Sequence, residues 1–252
     1  MIKNPPFNIT KDILNNSMQI TSLLGELQGL KFSKPKITLR KDHKIKTIQA
    51  SLAIEGNSLS LEQVSDLIEG SRVVGPIKDL LEAKNAIKAY NKFSDFKFSS
   101  DRHFKNAHKI MMDKLIPDAG DYRISNIGIF AGSKLAHIAP QPKLVPKLMH
   151  ELFSFLAKKD DISLLIKACI FHYELEFIHP FSDGNGRMGR LWQQVILTNY
   201  HKIFEYIAIE GLIKQQQETY YQILAKCDQA GDSTLFIEFS LSLIATSLDV
   251  FK

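Results

Sequence analysis

The fold of this chain of 252 residues is constrained most strongly by two predicted helices and the short segment between them, which contains Pro180, Gly184 and Gly186. Residues 163–175 are apolar and rich in helix formers, which predicts a largely buried helix. The helix is expected to end at His179, because Pro180 favours extended geometry in the residue before it. Residues 184–186, Gly-Asn-Gly, predict a turn that a ligand can approach closely, and the apolar spacing of residues 187–200 predicts a second helix.

The start of this second helix is suited to binding phosphate. Unpaired backbone amides and the positive end of the helix dipole both attract anions there. Arg187 and Arg190 lie three residues apart on one helical face, so both guanidinium groups are expected to converge on the same polyphosphate. Asp183 supplies a carboxylate, and Mg²⁺ is typically held by one or two carboxylates together with phosphates and water. A Walker-type site is not expected, since no Gly-x-x-x-x-Gly-Lys-Ser/Thr pattern occurs.

Each of these residues also has an ordinary structural interpretation. Taken alone, His179 is explained as a helix-end histidine, the two glycines as turn residues and the two arginines as part of a solvated face. Phe181 is expected to anchor its loop in the core. The combination within twelve positions nevertheless favours a functional site over structure alone.

Residues 179–190 read His-Pro-Phe-Ser-Asp-Gly-Asn-Gly-Arg-Met-Gly-Arg. This segment resembles the Fic motif, His-Pro-Phe-x-Asp/Glu-Gly-Asn-Gly-Arg-x-x-Arg, and every fixed position is filled. The resemblance implies an all-α, Fic-type helical fold with a small β-hairpin flap over the active site. It also implies a protein adenylyltransferase that moves AMP from ATP to a hydroxyl group of a target protein, with Mg²⁺ as the metal.

The resemblance assigns a role to each residue of the motif. His179 is the general base, in keeping with an imidazole that titrates near neutral pH and can accept the hydroxyl proton during attack on the α-phosphate. Asp183 holds the Mg²⁺ that bridges the α- and β-phosphates. The residues expected to bind the phosphates of ATP are Gly184, Asn185, Gly186, Arg187 and Arg190. Loss of His179 is expected to abolish transfer and to spare ATP binding.

A second motif lies upstream, in the sequence Ser-Leu-Ala-Ile-Glu-Gly-Asn that begins at Ser51. Ser51 and Glu55 are four apart and share a helical face, and Gly56 is a natural helix end. The sequence resembles the inhibitory helix of the Fic class that carries it N-terminally. In that class the glutamate pairs with the last arginine of the motif, here Arg190, and blocks the γ-phosphate. The alternative is an ordinary solvent-facing glutamate near a helix end.

Residues 120–142 predict a β-hairpin, with strands at about 127–130 and 135–138 and a glycine at the turn. It resembles the Fic flap, which binds the backbone of the target by strand addition. The alternative is a hairpin that merely caps the helices.

Residues 214–224 predict one further helix, which resembles the Fic segment around the adenine. Tyr221 and Asp228 are the candidates for the adenine pocket, since tyrosine offers a flat face and a hydroxyl group. Many relatives carry asparagine where this chain has Asp228. The alternative is an ordinary amphipathic helix whose tyrosines serve the core or the surface.

Two regions are expected along the chain. Residues 1–75 form an N-terminal helical region with the inhibitory helix at about 45–56, and residues 76–252 form the Fic core with the flap at about 127–138. A lysine-rich linker is expected at 31–46. An early helix is marked by Leu14, Met18, Leu23, Leu24 and Leu27. A capping box at Ser60 and helix starts near Pro76, Asp101 and Asp232 complete the pattern.

The net charge of +5 is spread along the chain, which favours a solvated basic surface, and nucleic acid is not an expected partner. Cys169 and Cys227 show no metal-ligand spacing and are expected to be reduced core thiols. No apolar window is expected to span a membrane, and no signal peptide is expected because prolines interrupt the first residues. We therefore expect a cytoplasmic protein without a membrane partner.

Two other functions keep the same motif. One is a deAMPylase in which Glu55 activates water to remove AMP from a modified target. The other is a non-catalytic nucleotide-sensing protein, which the intact His179 and Asp183 disfavour. Relatives also transfer UMP, phosphocholine or phosphate, but Gly186 followed by Arg187 matches the form that transfers AMP. The expected partners are ATP and an unidentified protein target; self-modification and a homo-oligomer stay open.

Overall fold

The computed structural model describes residues 5–29, 37–131 and 134–251. Within these residues it contains eleven α-helices and one pair of β-strands. In chain order they are α1 (Lys11–Gly29), α2 (Ile37–Ile54), α3 (Leu61–Glu69), α4 (Ile77–Asn91), α5 (Asp101–Met111), β1 (Gly128–Ala131), β2 (Lys134–Ile138), α6 (Val145–Ala157), α7 (Leu164–Ile178), α8 (Asn185–Tyr200), α9 (Glu210–Gln215), α10 (Gln217–Ala230) and α11 (Thr234–Phe251). The all-α class predicted from the sequence is confirmed.

The strands β1 and β2 pair antiparallel, with Gly128 opposite Ile138 and Ile129 opposite His137. Gly132, the glycine expected at the turn, lies outside the described residues. The strand positions agree with the hairpin expected near 127–138. Its role as a flap over an active site stays a prediction.

Helices α7 and α8 form the centre of the molecule and pack along each other. Both are buried on most sides; Phe171 of α7 and Trp192 of α8 are fully enclosed. The rings of Phe104 and Phe153 meet the indole of Trp192 edge-on, and its Nε1 donates to the carbonyl of Phe98 at 2.8 Å. Such dense packing fixes both helices, and it therefore fixes the ends of the loop that joins them.

Helix α2 packs against α3, α4 and α9, and its C-terminal end approaches α8. The side chains of Ile48 and Leu52 are buried. Gly56 adopts a left-handed φ of 85°, so the chain leaves the helix where the sequence predicts. The capping box at Ser60 is present at the start of α3. The expected starts of α4, α5 and α11 are also confirmed, since these helices begin at Ile77, Asp101 and Thr234. The boundary between the two predicted regions at residue 75 stays a prediction.

Two expectations about the helices were wrong. α2 begins at Ile37, so most of the expected lysine-rich linker is helical; lysine and arginine are good helix formers, and Ile45 buries one side. The early helix itself is confirmed as α1, in which Leu23, Leu24 and Leu27 are buried beside Ile13 and Ile20, whereas Leu14 and Met18 are exposed. The helix expected at 214–224 is interrupted at Gln216, between α9 and α10.

Helix α11 also departs from expectation. By length and composition Thr234–Phe251 is apolar enough to cross a membrane, with a mean hydropathy of 1.5. More than half of it, 56%, is buried inside the protein, where it packs against α1, α7 and α10. The apolar composition of α11 is therefore explained by its burial against other helices of the protein.

Candidate active site

His179 caps the C-terminus of α7. Its backbone is left-handed, with φ 48° and ψ 62°, and its amide donates to the carbonyl of Leu175 at 2.8 Å. The expected extended geometry was wrong: the helix ends in a left-handed cap, which also avoids the helical region that Pro180 disfavours. The imidazole is partly exposed, and its Nδ1 lies 3.4 Å from the carbonyl oxygen of Glu176. Since a carbonyl only accepts, Nδ1 can take part in this contact only as a donor, and in that tautomer the lone pair lies on Nε2.

The side chain of His108 holds the loop after His179 in place through Phe181 and Asp183. The ring of Phe181 is buried and stacks on His108, with centroids 3.5 Å apart and planes at 4°. The amide of Gly120 donates to Nδ1 of His108 at 2.9 Å, so Nε2 carries the proton and donates to the carbonyl of Asp183 at 2.9 Å. Burial lowers the pKa of His108 to about 4, which keeps it neutral. The burial and stacking of Phe181 agree with its expected packing role.

Asn185 also holds the loop. Its side-chain oxygen accepts from the amide of Phe181 and its side-chain nitrogen donates to the carbonyl of Phe181, both at 2.9 Å. The side chain therefore joins the two ends of the loop. Its expected contribution to a phosphate cradle stays a prediction.

Asp183 and Gly184 lead into α8. The Oδ1 atom of Asp183 accepts from the amide of Gly184 at 2.6 Å and from Arg187 at 3.1 Å, and the side chain is 49% exposed. Gly184 has a φ of 84°, and a Cβ there would lie 2.7 Å from the sulfur of Met112. No group of three potential metal-binding side chains occurs among residues 5–29, 37–131 and 134–251. A half-exposed aspartate beside the predicted phosphate site still fits Mg²⁺, which takes most of its ligands from phosphate and water.

Arg187 is buried and lies between two carboxylates. Its Nη2 atom donates to Asp183 at 3.1 Å, and its Nη1 atom donates to Oε1 of Glu82, on α4, at 3.2 Å. The second oxygen of Glu82 accepts from the side chain of Asn57 at 2.8 Å. Glu82 therefore connects the segment just after Glu55 to the motif. Sequence reasoning missed Glu82, because no local pattern marks a contact between residues 105 positions apart.

Arg190 is held by the end of α2. Its Nε atom donates to the hydroxyl of Ser51 at 3.1 Å, and its Nη2 atom donates to the carbonyl of Ser51 at 3.0 Å and to Oε1 of Glu55 at 2.7 Å. Burial by itself would lower the pKa of Arg190, but Glu55, Tyr220 and Glu176 together outweigh it and the pKa is raised. The structure therefore contains the ion pair that the resemblance implies. Arg187 and Arg190 do not converge, because each is drawn to a different carboxylate.

The carboxylate of Glu55 rests on the first turn of α8. A Cβ built on Gly186 would lie 2.5 Å from Oε1 of Glu55 and 3.1 Å from Nη1 of Arg190. Glycine at 186 therefore leaves room for an anion against the helix start, and Glu55 occupies that room. The end of α2 is held in turn by Lys214, which donates to the carbonyl of Ala53 at 2.8 Å.

The two candidates for an adenine pocket lie on α10. Tyr221 is 45% exposed and meets the buried ring of Tyr220 edge-on, with centroids 5.3 Å apart. Burial raises the pKa of Tyr221, and Glu55 adds to the shift, so this face of α10 borders the Glu55 side of the site. Asp228 accepts from the hydroxyl of Tyr173 at 3.1 Å. Their contact with a base stays a prediction.

Comparison with known proteins agrees with this geometry. The sequence model of the Fic/DOC family matches residues 98–197. The crystal structure of a Fic family protein from Desulfovibrio desulfuricans G20 superposes with a TM-score of 0.94 at 42% identity, over 98% of this chain and 76% of that one. The chain belongs to the Fic family. Fic-1 from C. elegans, residues 134–508, shares the fold at 20% identity with a TM-score of 0.74, over 94% of this chain and 72% of that one.

Two relatives similar in sequence to this chain bear the name protein adenylyltransferase Fic. The protein from Nematostella vectensis is 28% identical over 218 residues, which are 81% of this Fic chain and 48% of that protein. The protein from Aedes aegypti is 28% identical over 223 residues, which are 84% of this chain and 42% of that protein. The chain thus spans about half the length of these relatives.

Proposed function

We propose that this Fic protein is a protein adenylyltransferase that transfers AMP from ATP to a hydroxyl group of a target protein and is restrained by Glu55. The observation that carries the proposal is the carboxylate of Glu55 on the first turn of α8, paired with Arg190. A carboxylate in that position mimics a bound phosphate, so the same site suits the end of a triphosphate. The names of the two relatives support the choice of AMP transfer.

In this mechanism His179 accepts the proton of the target hydroxyl through Nε2. The hydroxyl oxygen forms a bond to the α-phosphorus, and the bond from that phosphorus to the pyrophosphate oxygen breaks. The pyrophosphate departs with the bonding electron pair. The contact of Nδ1 with the carbonyl of Glu176 supports this role, because a histidine that donates from Nδ1 has its lone pair on Nε2, as a base at that atom requires.

The remaining residues bind and orient the nucleotide. The first turn of α8 and the guanidinium groups of Arg187 and Arg190 compensate the charge of the β- and γ-phosphates. Asp183 would hold Mg²⁺, which when bound neutralises part of the phosphate charge. Glu55 must leave Arg190 before the γ-phosphate can take its place. Autoinhibition is thus a competition between two anions for one arginine.

The opposite reaction is a second candidate. The side chain of Glu55 is 29% exposed and lies beside the phosphate-binding turn, so it could orient a water toward AMP on a modified target. A target labelled in advance with AMP distinguishes the two: wild type should lose label faster than Glu55→Gly only if Glu55 is a hydrolytic base.

The target and its mode of binding also belong to the proposal. The hairpin of β1 and β2 would bind the target backbone by strand addition, as the resemblance to the Fic flap implies. Self-modification, a homo-oligomer and a cytoplasmic location stay predictions.

The test is the intact mass of the purified Glu55→Gly protein, incubated with ATP and Mg²⁺ alone and with candidate target proteins. A mass increase of one AMP, absent when His179→Ala is added, is the expected result. If no protein gains AMP although the variant is folded and binds ATP, the proposed activity is wrong. An increase that survives His179→Ala would refute the role of the histidine.

A further inference from the structure

The side chain of Arg123 joins the base of the hairpin to the backbone of His179. The residue is buried, with 2% of its surface exposed. Its Nε atom donates to the carbonyl of His179 at 2.7 Å, and its Nη2 atom donates to the carbonyl of Ile178 at 3.2 Å. The other side of the guanidinium reaches the segments that flank the strands: Nη1 donates to the carbonyl of Ser125 at 2.9 Å, and Nη2 to that of Pro140 at 2.6 Å.

The backbone of Arg123 adds a fifth bond, from its amide to the carbonyl of Pro180 at 2.9 Å. Arg123 therefore binds three consecutive carbonyls, those of residues 178–180. These are the carbonyls around the left-handed residue that ends α7. A helix C-terminus carries negative partial charge, so a buried cation is favourable there.

The partners of Arg123 are unusual for a buried arginine. No carboxylate of the described residues forms an ion pair with it, and burial lowers its pKa. The guanidinium is used instead as a planar set of donors for backbone carbonyls. Only arginine offers donors at such separations in one rigid plane, whereas lysine offers a single ammonium group.

We propose that Arg123 is a positioning residue for the transfer reaction: it sets the backbone of His179, and hence the direction of the imidazole, relative to the hairpin that receives the target. This inference rests on the proposed function. A left-handed non-glycine residue persists only where its surroundings impose that conformation, and Arg123 supplies such a restraint. The same guanidinium also binds the segments on both sides of the hairpin, so it fixes the position of His179 relative to β1 and β2.

The test compares Arg123→Lys with Arg102→Lys, both in the Glu55→Gly background. Arg102 is exposed on α5 and serves as the matched control. Arg123→Lys keeps the positive charge but cannot span the four carbonyls. We expect kcat for AMP transfer to fall roughly 100-fold, as for a misplacement of about 1 Å at a reacting group, and KM for ATP to stay unchanged. Arg102→Lys should change neither quantity.

A second readout does not depend on activity. The imidazole nitrogens of ¹⁵N-histidine-labelled protein are followed by NMR, with the signals of His179 assigned by their loss in His179→Ala. In Arg123→Lys the signals of His179 should shift, whereas those of the buried His172 should stay in place. A general loosening of the core would shift both.

The outcomes separate the inference from the proposed function. If Glu55→Gly transfers no AMP, the proposed function fails, and the NMR comparison alone decides the role of Arg123. Unchanged His179 signals in Arg123→Lys would overturn the inference, as would a loss confined to ATP binding. Arg123→Gln, which is neutral and keeps a planar amide, is the second variant. If neither variant folds, Arg123 is a folding residue and the positioning role is rejected.

Discussion

Replacing Glu55 by glycine should raise AMP transfer because it frees Arg190. The two side chains form a charge-assisted hydrogen bond of 2.7 Å, with Arg190 1% exposed and Glu55 29% exposed. Hydrogen bonds between charged groups contribute about 1.5–3 kcal/mol, and the partial exposure of Glu55 favours a value near 2 kcal/mol. A pair of that strength leaves Arg190 open in roughly 3% of molecules, so its removal should increase productive ATP binding about 30-fold.

The assay is the initial rate of label transfer from ATP radiolabelled at the α-phosphate, at ATP concentrations well below KM, where the rate reports kcat/KM. Glu55→Gln keeps the size and one acceptor but loses the charge, so its increase should be smaller. Ser51→Ala removes one hydrogen bond and leaves the carbonyl of Ser51 in place, so its effect should be smaller still. Glu62→Gln, exposed on α3, is the control.

A rate for Glu55→Gly within about twofold of wild type would refute the reasoning, provided that both proteins are folded and bind ATP. It would mean that the ion pair with Arg190 does not limit access of the γ-phosphate. An increase in Glu62→Gln equal to that in Glu55→Gly would also refute it, because the effect would then follow net charge rather than the pair.

Three further changes have defined outcomes. Glu82→Gln should raise the Kd for ATP about tenfold by calorimetry, because Arg187 loses a buried counter-charge that orients it; an unchanged Kd would contradict this. Burial raises the pKa of Glu210 to about 7, above its value in the unfolded chain, so wild type loses stability as the pH rises toward 7. In urea unfolding, Glu210→Gln should therefore be more stable than wild type by about 3 kcal/mol near pH 8, and should gain little near pH 4.5. Gly184→Ala should lower the free energy of unfolding by about 2 kcal/mol, because φ is 84° and Met112 is close; an unaltered thermal midpoint would count against the strain.

Features encoded in short segments could be predicted from the sequence. The motif from His179 to Arg190 lies within twelve positions, and the loop and helix start that display it are local structures. The same holds for the capping box at Ser60 and the left-handed end at Gly56. Such features depend on residues a few positions apart, which periodicity and turn chemistry describe well.

Features that depend on tertiary contact could not be predicted in this way. Arg123 binds carbonyls 55 and 56 positions away, and no carboxylate in the described part of the chain pairs with it, so no sequence pattern marks its role. Helix α1 shows the same limit for the choice of its buried face. Leu14 and Met18 have helical spacing, yet the neighbouring face with Ile13 is buried where α1 packs against α11. Apolar spacing predicts that a helix exists more readily than it predicts which side is covered.

The position of α2 would give the proposed inhibition a structural cause beyond the blocking of ATP. Arg190 is buried, and an arginine without an anion in such surroundings is strongly destabilising. Glu55 supplies that anion, so the ion pair supports the fold, and under the proposed function it would also restrain the reaction. The γ-phosphate of ATP would then exchange one anion for another at Arg190, without leaving its charge unpaired. A restraint of this kind would be reversible, because the ligand that displaces Glu55 would also take over its stabilising contact.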